Sequence, residues 1–174
     1  MRFTELPLKG AYVIDAEPHE DNRGLFARTF CGREFYEHGL AEKFVQCSTS
    51  WNGREGTVRG MHYQLPPACE AKLVRCTAGS LWDVIVDLRP DSPTHLQHAG
   101  IELTARNRLS LYIPEMFAHG YQTLEDGTEI FYQMSEFYAP ELSAGLRYDD
   151  PKLGITWPRP VSLVSEKDRN LKLL

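Results

Sequence analysis

The sequence has no uninterrupted apolar run long enough to span a bilayer, which argues against a helical membrane protein. Its start, Met1-Arg-Phe-Thr-Glu-Leu-Pro-Leu-Lys-Gly10, also lacks the apolar core and cleavage site of a secretory signal. Cysteine is scarce: Cys31, Cys47, Cys69 and Cys76 are unevenly spaced and form no Cys-x-x-Cys. These thiols are expected to act as small core residues in a reducing cytoplasm. Basic charge is in deficit, with 19 Lys+Arg against 24 Asp+Glu and a formal charge of −5. That balance argues against nucleic acid or an anionic membrane as partner, while leaving room for a local basic pocket. Internal repeats, low-complexity tracts and linkers are missing too, so the 174 residues are expected to form one domain over 1–174. There is no Gly-x-Gly-x-x-Gly, no Gly-x-x-x-x-Gly-Lys-Ser/Thr and no Gly-x-Ser-x-Gly. Dinucleotide, phosphate-loop and serine-hydrolase readings therefore lack their usual carriers.

What remains is a chain of short segments punctuated by Pro and Gly. Leu81–Leu88 alternates, with Asp83, Ile85 and Asp87 opposite Trp82, Val84, Val86 and Leu88. Thr128–Met134 puts Ile130, Tyr132 and Met134 on one face. Further strands are expected at Gly10–Ala16, Leu25–Phe30, Val45–Ser50, Thr57–Gln64, Lys72–Thr77, Gln97–Leu103, Leu109–Ile113 and Gly120–Leu124. Gly79-Ser80 and Asp126-Gly127 read as turns. Arg33–Phe44 is the one helical candidate, weakened by Gly39. About ten strands separated by turns predict an all-β sandwich or barrel, with a jelly roll the favoured form.

Several strands carry polar residues that can do chemistry: Arg59 and His62, then Lys72, His119 and Tyr132. Taken singly, each has an ordinary explanation as a surface or hydrogen-bonded strand residue. Gathered in one pocket they would supply a base, a cation and a phenolic acid, enough for proton transfer beside a carbonyl. Arg59 and His62 are three apart, however, and face opposite sides of a regular strand. Gly60 is the expected site of a bulge that reconciles them. A metal reading rests on His62-x-Gln64, Glu70 and His119, but a Gln in place of a second imidazole is a poor ligand for zinc or iron. No metal and no cofactor are expected.

The ordered set Asp21-Asn-Arg-Gly24, Val58-Arg-Gly-Met-His-Tyr-Gln64, Lys72-Leu-Val-Arg75, Asp83-Val-Ile-Val-Asp-Leu-Arg89, Ser92-Pro-Thr94, Ile113-Pro-Glu-Met-Phe-Ala-His-Gly120, Phe131-Tyr132, Tyr138, Trp157-Pro158 and Ser165-Glu-Lys-Asp168 resembles the dTDP-4-dehydrorhamnose 3,5-epimerase family. The resemblance runs through nearly the whole chain. It implies a metal-free jelly-roll/cupin β-barrel with a few short helices. It also implies a homodimer acting on a nucleotide-linked 4-keto-6-deoxyhexose. Position by position, it makes His62 the general base, Asp168 its carboxylate partner, Lys72 the cation beside the developing enolate oxygen, and Tyr132 the acid. His119 and Asp83 match supporting pocket positions. Arg23 and Arg59 match residues that engage the diphosphate, while Phe26, Gln46 and Tyr138 fall around the nucleotide base. Lys167, next to Asp168, joins the expected substrate-binding set.

Four positions depart from the family pattern. Arg28 stands where Glu is usual and Ser48 where Asn is common, both in the region used for the nucleoside. Exchanging a carboxylate for a guanidinium turns an acceptor into a donor, so dTDP, CDP and GDP all stay open at this level. Met116 replaces a Gly, and His19 stands where an aromatic is common. Inversion at C3 alone, a non-catalytic sugar-nucleotide binder and a metal-dependent barrel are the competing readings.

Overall fold

The computed structural model describes residues 1–174. In chain order the first strands are β1 (Arg2–Glu5), β2 (Tyr12–Asp15), β3 (His19–Asp21) and β4 (Gly24–Phe26), followed by helix α1 (Gly32–Glu37). The middle of the chain supplies β5 (Gln46–Asn52), β6 (Val58–Gln64), β7 (Lys72–Ala78), β8 (Ser80–Asp87) and β9 (His98–Thr104). Then come β10 (Ser110–Ile113), β11 (Phe117–Thr123), β12 (Thr128–Met134), β13 (Ser143–Gly145) and the short helix α2 (Glu166–Arg169). A six-stranded sheet runs β1-β2-β10-β7-β12-β5, and a five-stranded sheet runs β13-β6-β11-β8-β9. All the pairings within these sheets are antiparallel. The two sheets form the jelly roll expected from the strand pattern, and β3 and β4 pair only with each other.

Burial on both faces explains why β8 alternates less in polarity than in destination. Leu81 and Ile85 join Val74, Cys76, Leu111, Ile113 and Ile130 in the layer between the sheets. Val84 and Val86 pack instead with Met61, Ala118, Leu146 and Leu153 on the outer face of the five-stranded sheet. The outer face of the six-stranded sheet is covered by α1 and the residues after it, where Phe35 packs with Ile14, Leu73 and Tyr112. Toward the start of β5 and β7 and the end of β12, the layer between the sheets gives way to polar side chains.

Most expected strands agree with the structure to within two or three residues. The helix is shorter than Arg33–Phe44: it ends at Glu37, and Gly39 takes a positive φ of 70° that reverses the chain. Leu40 still packs against the cluster around Phe35, but Tyr36, which the apolar spacing groups with them, is exposed, so the spacing was right for two of its three residues and wrong on helix length. Leu25–Phe30 is strand only through Phe26. β1, β3, β13 and α2 were not expected. Each is three or four residues long, too short for a periodic signal. No helix is long and apolar enough to cross a membrane.

Candidate active site

The polar end of the sandwich encloses a cavity of about 520 Å³. One wall is the five-stranded sheet, which supplies Arg59 and His62 from β6 and His119 and Tyr121 from β11. The other is the six-stranded sheet, which supplies Gln46 and Ser48 from β5, Lys72 from β7, and Tyr132 and Met134 from β12.

The conflict between Arg59 and His62 resolves at Gly60. His62 pairs with His119, yet Arg59 pairs with Tyr121, so three steps on β6 match two on β11. The extra residue is a bulge that turns both side chains into the cavity. Gly60 sits at φ 129°, and a Cβ built there would lie 2.5 Å from the Cα of Gly120, so only glycine allows this approach. The same residue donates its backbone N–H to Asp168 Oδ2 at 3.3 Å.

Asp168 comes from the far end of the chain. Leu163 bridges to Thr57 beside the start of β6, and Ser165 caps α2 by accepting the Asp168 N–H at 3.0 Å. The buried Asp168 carboxylate then lies 2.7 Å from His62 Nε2. Burial pushes this carboxyl upward, but the His62 contact, the Gly60 amide and the Ser165 hydroxyl outweigh it and leave its pKa below the usual value. Asp168 engages Nε2, which leaves Nδ1 of His62 as the nitrogen able to take a proton.

A second His–Asp pair stands beside the first. His119 Nε2 lies 2.9 Å from Asp83 Oδ1 and 3.0 Å from Oδ2. Asp83 is completely buried behind His119; burial raises its pKa against the pull of His119 and Lys72. On the opposite wall, burial drives the Tyr132 phenol well above its ordinary value, with the Tyr121 hydroxyl adding to the effect. Tyr132 therefore holds its proton at neutral pH, as an unperturbed phenol also does, so this wall offers a proton opposite His62. Lys72 Nζ pairs with Glu70 Oε1 at 2.6 Å, and Arg59 Nε donates to Asn52 Oδ1 at 2.8 Å. Tyr138 lines the rim, its backbone N–H donated to Gln46 Oε1 at 2.6 Å.

Of the residues expected from sequence, Gln46, Ser48, Arg59, His62, Lys72, His119, Tyr132 and Tyr138 line this cavity. Asp83 and Asp168 stand directly behind the two imidazoles. Lys167 lines an adjoining cleft that also borders Arg59, His62 and Asp168. Arg23, Phe26 and Arg28 do not line the cavity of their own chain. Arg23 is paired with Asp21 on the β3–β4 hairpin and is 86% exposed, and Phe26 is 73% exposed. Phe26 and Arg28 border a separate surface cleft with His19 and Glu34. The sequence reading missed Tyr121 and Met134, although each lies two residues from a chosen neighbour and shares its strand face. Glu70, which the sequence offers only as part of the metal pattern, lines the cavity as well. The pattern built on Gln64 does not come together: its amide donates to the Ala68 and Phe137 carbonyls and accepts from the Ala139 N–H.

Fold and site define a jelly-roll enzyme for proton transfer, with an oriented imidazole on one sheet and a protonated phenol on the other. Residues 5–174 match the model of the dTDP-4-dehydrorhamnose 3,5-epimerase family. The chain is 42% identical to the dTDP-4-dehydrorhamnose 3,5-epimerase of Methanothermobacter thermautotrophicus, covering 99% of this chain and 94% of that one. Its fold matches the crystal structure of the Elizabethkingia anophelis enzyme of the same name, with TM-score 0.96, 38% identity, and 99% and 96% of the two chains covered. It also matches the Bacillus anthracis enzyme with TDP and PPi bound, with TM-score 0.96, 36% identity and 99% of each chain covered. The chain belongs to the dTDP-4-dehydrorhamnose 3,5-epimerase family.

Proposed function

We propose that this chain inverts C3 and C5 of a dTDP-linked 4-keto-6-deoxyhexose, with His62 as base and Tyr132 as acid. The ketone at C4 acidifies the hydrogens on both neighbouring carbons, because loss of either places charge on the C4 oxygen. His62 Nδ1 takes the proton from one face of the ring, and the electron pair moves into the enolate. Lys72 meets the developing oxyanion. Tyr132 then gives its proton to the same carbon from the other face, and solvent exchange resets both groups. The observation that carries this reading is that base and acid stand on opposite sheets of the sandwich. Inversion requires a donor and an acceptor on opposite ring faces, and a sugar between two sheets meets one on each side.

Preorganised donors of the Lys72 kind contribute roughly 3–4 kcal/mol in comparable oxyanion sites. Arg59 serves the diphosphate, whose remote binding energy holds the sugar in register. The thymidine form of the substrate is favoured by the TDP bound to the Bacillus anthracis relative.

The working unit is a homodimer of one-domain chains. This is supported by the β3–β4 hairpin, which leaves Arg23 and Phe26 exposed and pairs with no other strand of its own chain. Placed against a partner's cavity, the hairpin would complete the diphosphate and base contacts. Four free thiols fit a cytoplasmic setting.

Solvent deuterium exchange tests the reaction. Wild type incubated in D2O with the dTDP-4-keto sugar is expected to gain deuterium at both C3 and C5, and more slowly or not at all with CDP and GDP forms. His62→Ala is expected to lose exchange at both carbons by at least about 10²-fold, the lower end for a general base. No exchange by wild type with any of the three sugars would overturn the reading.

A further inference from the structure

Glu70 is a carboxylate inside a cavity whose proposed substrate carries a diphosphate. Its side chain is nine-tenths buried, and its Oε1 lies 2.6 Å from Lys72 Nζ. Nothing in the proton transfer itself calls for an acid at this place. A negative group here opposes an anionic substrate, so its presence needs a reason.

The backbone on either side of Glu70 is fixed. On one side, the Cys69 thiol contacts Met116 Sδ at 3.4 Å, tying the segment to the loop before β11. On the other, the Ala71 N–H donates to the Ser135 hydroxyl at 2.8 Å, and the Ala71 carbonyl accepts the Ser135 N–H at 3.0 Å. Glu70 is therefore anchored to two neighbouring segments, whereas Lys72 ends in a flexible four-carbon stem. Lys72 shares its strand face with Val74 and Cys76, which point between the sheets. The other titratable groups around its ammonium are Asp83 and His119 on the facing sheet and Arg59 across the cavity. Asp83 already holds His119, which leaves Glu70 as the ion-pair partner of Lys72.

We propose that Glu70 is a positioning residue, holding the Lys72 ammonium where the C4 oxyanion develops and leaving Arg59 as the cation for the diphosphate. This rests on the proposed reading of the cavity. An ammonium displaced by about 1 Å from a developing charge loses much of its effect on the transition state, while ground-state binding through the nucleotide is unaffected.

The test compares Glu70→Ala, Glu70→Gln, Lys72→Ala and the double variant Glu70→Ala/Lys72→Ala by kcat and KM for deuterium exchange, with dTDP affinity as a check on folding. Glu70→Ala is expected to lower kcat about 10-fold with KM and dTDP affinity within twofold. Glu70→Gln, which keeps an oxygen for the ammonium, is expected to retain at least a third of kcat. The double variant is expected to be no slower than Lys72→Ala alone. The proposal is overturned by an unaffected Glu70→Ala, by a change confined to KM, or by losses that multiply in the double variant. A Glu70→Gln as slow as Glu70→Ala also overturns it, since that marks the carboxylate as a proton carrier. A wild type that exchanges no deuterium overturns the underlying reading as well, whereas an active wild type beside an unaffected Glu70→Ala overturns this proposal alone.

Discussion

At the scale of single residues, the decisive quantity is where each proton sits. Burial keeps the Tyr132 phenol protonated well past neutrality, and the proposed chemistry uses that proton only after His62 has removed one from carbon. Tyr132→Phe is therefore expected to leave solvent exchange at C3 within about 10-fold of wild type. Formation of the inverted sugar should fall by at least about 10²-fold, the size of a lost general acid; deuterium uptake set against product stereochemistry checks this. Asp87 shows the same logic in a structural role. Its burial would raise its pKa, but Arg89 together with the hydroxyls of Ser92 and Thr94 drives it far below the usual carboxylate range. A depressed folded-state pKa stabilises the protein above the unfolded value near 4 and loses that contribution as pH falls below it. Asp87→Asn is expected to cost about 2–3 kcal/mol at pH 7, less than a fully buried pair because Arg89 is partly exposed. The gap to wild type should narrow below pH 4, as followed by denaturant unfolding from pH 7 to 3.

At the scale of elements, the bulge in β6 decides whether the site exists. Gly60 and Gly120 approach so closely that a methyl at position 60 meets backbone, not a yielding side chain. Gly60→Ala is expected to cost about 2 kcal/mol of stability, in the range for overpacking a tight contact. It should lower exchange by more than 10²-fold, because it disturbs His62 and the amide that supports Asp168 together. Thermal unfolding and exchange on the same sample check both halves. This element also marks how far the sequence could be read. Alternation in Leu81–Leu88 and Thr128–Met134 made those strands and the division of their faces legible, since a period of two leaves a pattern over seven or eight residues; in β8 both faces are buried, so alternation did not tell which one points between the sheets. The bulge was legible only as a contradiction between Arg59 and His62, with a glycine between them. Asp168 had no periodic signal, because its partner lies 106 positions earlier and no periodicity spans that distance; it was legible only through the resemblance carried by Ser165-Glu-Lys-Asp168. Three-residue strands such as β3 and β13 leave too few positions to alternate.

At the scale of the whole molecule, the chain presents its chemical groups together and leaves part of its expected recognition set elsewhere. His62, Lys72 and Tyr132 share one cavity, while Arg23 and Phe26 project from a hairpin outside it. If two copies exchange hairpins, a mixture of His62→Ala and Arg23→Ala, each impaired alone, is expected to regain up to about a quarter of wild-type exchange. Half of the randomly mixed dimers would then hold one intact site of two. Light scattering should show two chains per particle, and a mixture no more active than its components would exclude shared sites.

The distance along the chain between His62 and Asp168 also sets an order in time. A ribosome delivers β6 long before α2, so both sheets can pair while the base still lacks its carboxylate partner. The nascent jelly roll would hold an imidazole, an ammonium and a phenol without the group that orients the first of them. Under the proposed mechanism, the imidazole becomes competent only when the turn carrying Asp168 docks beside Gly60 and His62.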